Sequence, residues 1–344
     1  MKKCFCVLFV LLVAFVAFAS GVSEESTQVT PPAPAKLSVP LKIAYVPVVM
    51  NTHYDMVLSG LKEGIDRNGG ESFATLQTYI PSSNEKSFEE QITILETLLQ
   101  QKDLNVLIYA TENEEAMLPY LRRFCEQGVF VFLFNTTELK KENTYYVTTA
   151  TYDQYEASHL VGEWAVEYFG DKQTYIAVLE GTPGDLNTTR LNGFMDAIKG
   201  HDNLQVVASQ SANWTRADGQ TVTENLLISH PEINFIYGMY DEMALGAVAA
   251  CKNANRTDIV IAGYDNTQDA YSSILAGELT ATVNTAAKEQ GTNLINAIID
   301  YTLLGKEVPK TINSKLTVYS KENISEFNTE NYKYVPREQE TVWN

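Results

Sequence analysis

Nine side chains scattered along this chain share one kind of chemistry: Asn51, His53, Tyr54, Asn135, Arg190, Trp214, Tyr240, Asp265 and Thr285. The aromatic members offer flat apolar faces with a polar tip. The amides and the threonine hydroxyl both donate and accept hydrogen bonds, the guanidinium only donates, and an ionised carboxylate only accepts. A small guest with C–H faces and hydroxyl edges, a sugar above all, satisfies such a mixture. Hydrogen bonds to charged groups contribute about 1.5–3 kcal/mol each. Two or three of them with ring stacking reach roughly −8 kcal/mol, a micromolar dissociation constant. Plainer roles exist for several of these residues: Arg190 as a surface partner of Asp196, Trp214 as core, Asp265 as a turn residue, His53 as an exposed side chain. Asp241 stands directly before a helical run and reads as its N-cap, with Glu242 complementing the helix dipole. His159, His201 and His230 are isolated and read as structural or solvated.

What gathers the nine is their position relative to strands. From Leu41 onward, short β-branched or aromatic runs alternate with longer helical patterns. The expected strands are 41–48, 71–79, 105–109, 129–134, 145–149, 175–179, 204–209, 235–239, 258–262, 279–283 and 316–320. Helices fall between them, from 54–68 to a long one at 286–304. Asn51, His53 and Tyr54 follow the first strand, and Asn135 the fourth. Arg190 lies past the Glu180–Gly184 turn, Trp214 past the next strand, and Tyr240, Asp265 and Thr285 past the three after that. In open α/β sheets, guests bind outside the carboxyl ends of the strands, which is where all nine are placed.

Repeated βα units imply an α/β fold with parallel sheets covered by helices on both faces. One sheet holding every strand would be unusually wide. The pattern also restarts near Thr149. Two doubly wound lobes are therefore expected.

Other features narrow the function. Lys2 and Lys3 precede an apolar run that ends at Ala17-Phe18-Ala19, the layout of a cleavable export signal over 1–19. Residues 20–40 are rich in Pro, Ser and acidic side chains and read as a flexible linker. The net charge of −18 disfavours nucleic acid. No dinucleotide or nucleotide glycine motif, GxSxG elbow, HExxH or CxxC is present. No cofactor or metal is expected, and a binding protein is favoured over an enzyme. Cys125 and Cys251 read as small buried hydrophobes, with a disulfide left open until their separation is known.

From about Leu41 to Ser320 the chain resembles the type I periplasmic sugar-binding proteins, and ribose binders most closely. The most specific stretch is 212–250, NWTRADGQTVTENLLISHPEINFIYGMYDEMALGAVAA with its flanks, above all DEMALGA. Tyr264-Asp265, the RLNGF segment from Arg190 to Phe194, and the stretch from Gly60 to Gly69 support it. The resemblance implies a type I fold: two lobes, 41–149 plus 286–312 and 150–285 plus 313–322, followed by a tail at 323–344. Three crossovers near Thr149–Thr151, Asn284–Ala286 and Ile312–Lys315 would serve as hinges. It further implies a monomer in the periplasm or on the outer face of the cytoplasmic membrane. That monomer would close on a sugar and present it to an ABC-transporter permease or, alternatively, to a sensory receptor. The nine residues carry over as the cleft lining. Arg190, Trp214 and Asp265 keep the family's residue types. Asn135-Thr136 replaces an Asp-Arg pair, Tyr240 an Asn, and Thr285 a Gln. These departures point away from ribose itself and toward a different monosaccharide, a deoxy sugar or a less hydroxylated ligand.

Overall fold

The computed structural model describes residues 29–83, 86–111, 113–136 and 145–340. The expected signal and the start of the linker lie outside these residues, as do 341–344. In chain order the elements of the first half are β1 (Leu41–Val46), α1 (Thr52–Arg67), β2 (Ala74–Thr78), α2 (Ser87–Leu98), β3 (Val106–Tyr109), α3 (Glu114–Glu126), β4 (Phe130–Phe134), β5 (Thr149–Thr151), α4 (Gln154–Phe169) and β6 (Thr174–Glu180). There follow α5 (Asp185–Ala197), β7 (Leu204–Ser211), α6 (Arg216–Ser229), β8 (Phe235–Gly238), α7 (Asp241–Asn253), β9 (Val260–Asp265), α8 (Gln268–Ala276), β10 (Ala281–Asn284), α9 (Ala287–Ile298), β11 (Thr311–Asn313) and β12 (Thr317–Ser320).

The strands form two six-stranded sheets, ordered β11-β5-β4-β3-β1-β2 and β12-β10-β9-β8-β6-β7. Every pairing is parallel except β10 with β12. The chain passes between the sheets after β5, after β10 and after β11, so two doubly wound lobes share three crossovers. The central strands β3, VLIY, and β4, FVFLF, are buried at every position. Parallel strands covered on both faces need such unbroken apolar runs. The lobes have separate cores. Helices α1 and α9 pack closely because glycines meet backbone: a Cβ on Gly60 would lie 2.0 Å from Lys288 O, and one on Gly291 would lie 2.1 Å from Val57 O.

Several boundaries differ from expectation. The fifth strand is Thr149–Thr151 rather than 145–149. The last long helix stops at Ile298 and continues as a π-helical turn, Ile299–Leu303. β11 occupies part of an expected hinge and pairs with β5. The free linker does not extend to Pro40: Ala35 N and Leu37 N donate to Tyr301 O and Thr302 O, and both side chains pack on the first lobe's core.

The tail spans both lobes. Ile324 belongs to the second lobe's core. Tyr334 Oη donates to Asp66 Oδ2, and Glu340 N to Arg67 O, both on α1 of the first lobe. Between them Lys288 pairs with Glu63 at 2.5 Å, both almost fully buried, while Arg337 Nε lies 3.1 Å from Glu63. Lys288 Nζ also donates to Glu330 O and Lys333 O, so one ammonium pins the tail to α9. Burial opposes charge on Glu63, but Lys288, the Val335 N–H and Arg337 outweigh it and hold the carboxyl below 4.5. Lys288→Ala removes the more deeply buried of two cations on Glu63 and leaves Arg337 and the Val335 N–H in place, and the expected loss is about 1–3 kcal/mol of unfolding free energy in urea titration. Because Glu63 is held low, its stabilisation is complete above pH 4.5 and fades as pH falls through the folded value. Glu63→Gln should accordingly flatten the acid limb of a stability–pH curve.

Cys125 and Cys251 sit in different lobe cores and are both free. Among the described residues no helix is long and apolar enough to cross a membrane.

Candidate functional site between the lobes

The first β-strand feeds α1 through Asn51, whose side chain caps the helix by accepting from Tyr54 N at 3.0 Å. That cap fixes the first turn, so His53 and Tyr54 stand at the sheet's carboxyl edge. Tyr54 is wedged edge-on against Phe134 and His53. Its hydroxyl accepts from Asn135 Nδ2 at 3.2 Å. Asn135 directly follows β4 with φ 46°, the left-handed region that asparagine tolerates better than most residues.

In the second lobe, Arg190 projects from α5 and is 4% exposed. Nε donates to Gln154 Oε1 at 2.8 Å, Nη1 to Met239 O at 2.6 Å and Nη2 to Tyr152 Oη at 2.8 Å. Its guanidinium carbon lies 3.9 Å from the Tyr264 ring centroid and 5.2 Å from that of Trp214. No surface pair with Asp196 forms; Asp196 accepts from Tyr155 Oη instead. The guanidinium therefore enters the cleft without a bonded carboxylate and with N–H groups still unspent.

Trp214 reaches the cleft from a left-handed turn at Asn213 (φ 49°) and Trp214 (φ 60°). Its Nε1 donates to Thr182 Oγ1 at 2.9 Å. The indole lies flat over Gly181, where a Cβ would come within 1.8 Å of Trp214 Cε2. Gly181→Ala is expected to drive the indole off this seat, shifting tryptophan emission to longer wavelength; an unchanged spectrum would show that the ring does not rest there.

Asp265 ends β9 at φ 102° and is 3% exposed. It accepts from Thr285 Oγ1 at 2.9 Å and lies 3.3 Å from His53 Nδ1 of the opposite lobe. Neither ring nitrogen of His53 makes a hydrogen bond; the pair is in contact but off line. Burial opposes charge on Asp265, yet His53, Arg190 and Thr285 outweigh it and keep the carboxyl below its usual range. His53 is buried, against the reading of an exposed side chain.

Asp241 is not an N-cap. Tyr240 occupies that position without a capping side-chain bond. The Asp241 carboxylate turns inward and is fully buried. It accepts from Tyr264 N at 2.8 Å, Thr267 N at 2.6 Å and Thr282 Oγ1 at 2.7 Å. Burial, reinforced by the nearby Asp265 charge, pushes its carboxyl up to about 8 against the hydrogen bonds from Thr267 and Thr282. The Asp241 carboxyl group thereby ties together the loop that presents Asp265.

Eight of the nine expected residues, all but Thr285, line one cavity together with Leu186. Thr285 stands behind it and orients Asp265. Leu186, a lone apolar side chain in the polar first turn of α5, gave no periodic signal. Free space between these side chains is about 40 Å³, room for a few waters but not for a six-membered ring. The cavity shares Asn51, Trp214 and Tyr240 with an outer cleft of about 1040 Å³. Entry of a larger guest therefore requires movement. Among the described residues no group of three or more His, Cys, Asp or Glu is placed to hold a metal ion.

Residues 43–307 match the periplasmic binding protein domain family. The ribose import binding protein of Bacillus subtilis is 32% identical over 272 residues, 72% of this chain and 88% of its own length. A D-apiose import binding protein of Paraburkholderia graminis is 28% identical over 63% of this chain and 68% of its own. Of solved structures, an ABC-transporter solute-binding protein of Actinobacillus succinogenes with bound D-allose superposes with a TM-score of 0.75 at 23% identity, covering 84% of this chain and all of that one. A galactofuranose-binding protein gives 0.77 at 24% identity, covering 83% of this chain and 97% of that one. These two likenesses concern the fold.

Proposed function

From the premise that the chain belongs to the periplasmic binding protein family, we propose that it is an exported solute-binding protein that captures a monosaccharide between its lobes for import by an ABC transporter. The observation that carries the reading is the convergence of eight side chains from both sheets on one cavity, with a buried Arg190 left partly unsatisfied. The guest's hydroxyls accept from Arg190 and donate to Asp265, while Trp214 and Tyr54 flank its C–H faces. Since groups from both lobes reach the same ring, the closed arrangement gains contacts that an open one lacks. That difference in affinity is what shifts the lobes toward closure. The site binds and does no chemistry.

Relatives named for ribose, apiose and allose define the class of guest. Asn135 in place of a charged pair, and a buried Tyr240 hydroxyl with no hydrogen bond, favour a sugar other than ribose. The test is a thermal-shift panel of D-ribose, D-allose, D-apiose, D-fucose and myo-inositol, with amino acids and nucleosides as controls. A sugar at 100 times its dissociation constant adds about 2.7 kcal/mol of stability. A shift with an amino acid or nucleoside and with no sugar would refute the reading.

A further inference from the structure

Gln154 does not line the cavity, yet it touches the polar groups that do. It is the first residue of α4, immediately after the first crossover, and is 2% exposed. Its Oε1 accepts from Arg190 Nε at 2.8 Å and from Tyr264 Oη at 3.1 Å. Its Nε2 donates to Asn135 Oδ1 at 3.1 Å. The amide's orientation is fixed by chemistry, because Arg190 Nε can only donate. Asn135 in turn donates to Tyr54 Oη. A continuous chain of hydrogen bonds thus runs from Tyr54 through Asn135 and Gln154 to Arg190. It starts in the first lobe, crosses at the hinge and ends in the second, passing behind the space where the guest sits.

We propose that Gln154 is a positioning residue that sets the Arg190 guanidinium and, through its bond to Asn135, couples that setting to the closed arrangement of the lobes. The two faces of the amide have separate tasks. The oxygen orients Arg190 within its own lobe. The N–H is given to the other lobe and is lost when the crossover swings open. Buried networks of this kind are rigid when every member is satisfied and costly when one is removed. A guest that takes hydrogen bonds from Arg190 therefore acts on a group already tied to the hinge. This inference rests on the sugar-clamp reading for its effect on affinity, but not for its effect on the lobes themselves.

Gln154→Glu separates the two tasks. It keeps an oxygen for Arg190 Nε and Tyr264 Oη and sets an oxygen in place of the N–H given to Asn135, but it also adds a charge beside the guanidinium, so Asn135→Ala, which removes the same bond without a charge, is its matched partner. Gln154→Met removes both. Inter-lobe distances are read by pulsed electron spin resonance between spin labels at Lys102 and Lys172, both exposed and in different lobes. The native thiols of Cys125 and Cys251 stay unlabelled, since both are buried and burial pushes them up to about 12 and about 11. In unliganded protein, the distance distribution of Gln154→Glu should move away from the wild-type closed population. Asn135→Ala should produce the same shift, and the double variant no more. Gln154→Met should show the shift together with a lower melting temperature. With the tightest-binding sugar of the panel, Gln154→Glu should lose affinity on the order of tenfold. Wild-type distances in Gln154→Glu or in Asn135→Ala would overturn the relay. If wild type bound no sugar while Gln154→Glu still shifted the lobes, the relay would stand and the sugar reading would fall.

Discussion

Arg190→Ala lowers affinity for the bound sugar by about 2–4 kcal/mol, a factor of roughly 30 to 1000. The side chain is nearly fully buried, and three of its donors are already held by Gln154, Met239 O and Tyr152. Its position is therefore set before a guest arrives, and no ordering of a long flexible side chain is needed on binding. Truncation removes a charged hydrogen-bond partner from the guest and also leaves Asp265 without one of the groups that favour its charge. Arg190→Lys does not restore binding, since an ammonium cannot reproduce the planar fork that reaches three acceptors at once. Isothermal calorimetry checks both variants, and affinity within twofold of wild type for Arg190→Ala would place the residue outside the recognition step.

Asp241→Ala destabilises the folded protein by about 3–5 kcal/mol, because the buried Tyr264 N, Thr267 N and Thr282 Oγ1 all lose the carboxyl they donate to, and a buried group left unsatisfied costs about 1–3 kcal/mol. A cap at a helix start would cost about 1 kcal/mol on the same change. Urea unfolding separates the two values. The loss should come with weakened sugar binding even where the protein remains folded, since Tyr264 N and Thr267 N flank the residue that carries the Asp265 carboxylate. A loss near 1 kcal/mol with full affinity would return Asp241 to the capping role.

That contrast shows where the sequence was legible and where it was not. An aspartate directly before a helical run has a local explanation, and local rules choose it. The actual partners of Asp241 lie 23, 26 and 41 positions away, and no spacing rule joins them. The lobes were readable because β3 and β4 are unbroken apolar runs and because helices with clear stripes separate the strands. β11 was missed since it is three residues long and half-exposed, without an apolar signature. β5 was shifted because Tyr145, Tyr146 and Val147 favour a strand by type, whereas pairing with β11 begins at Thr149. The cleft residues were legible for a topological reason, as strand ends in a parallel sheet share one edge. Gln154 escaped because it follows a crossover rather than a strand pointing at the guest, and its role depends on both lobes being folded. The tail's attachment was equally invisible: Lys288 and Glu63 sit on helices separated by most of the chain, and each alone resembles an ordinary surface charge.

The central claim is that one sugar ring is held by both lobes at once. A crystal structure of the protein with the tightest-binding sugar of the panel measures this directly. The expected result places the ring within hydrogen-bonding distance of Arg190 and Asp265 and against Trp214, with at least one contact from Asn51, Tyr54 or Asn135 of the other lobe. A sugar held by one lobe alone, or bound elsewhere with the cleft vacant, would contradict it.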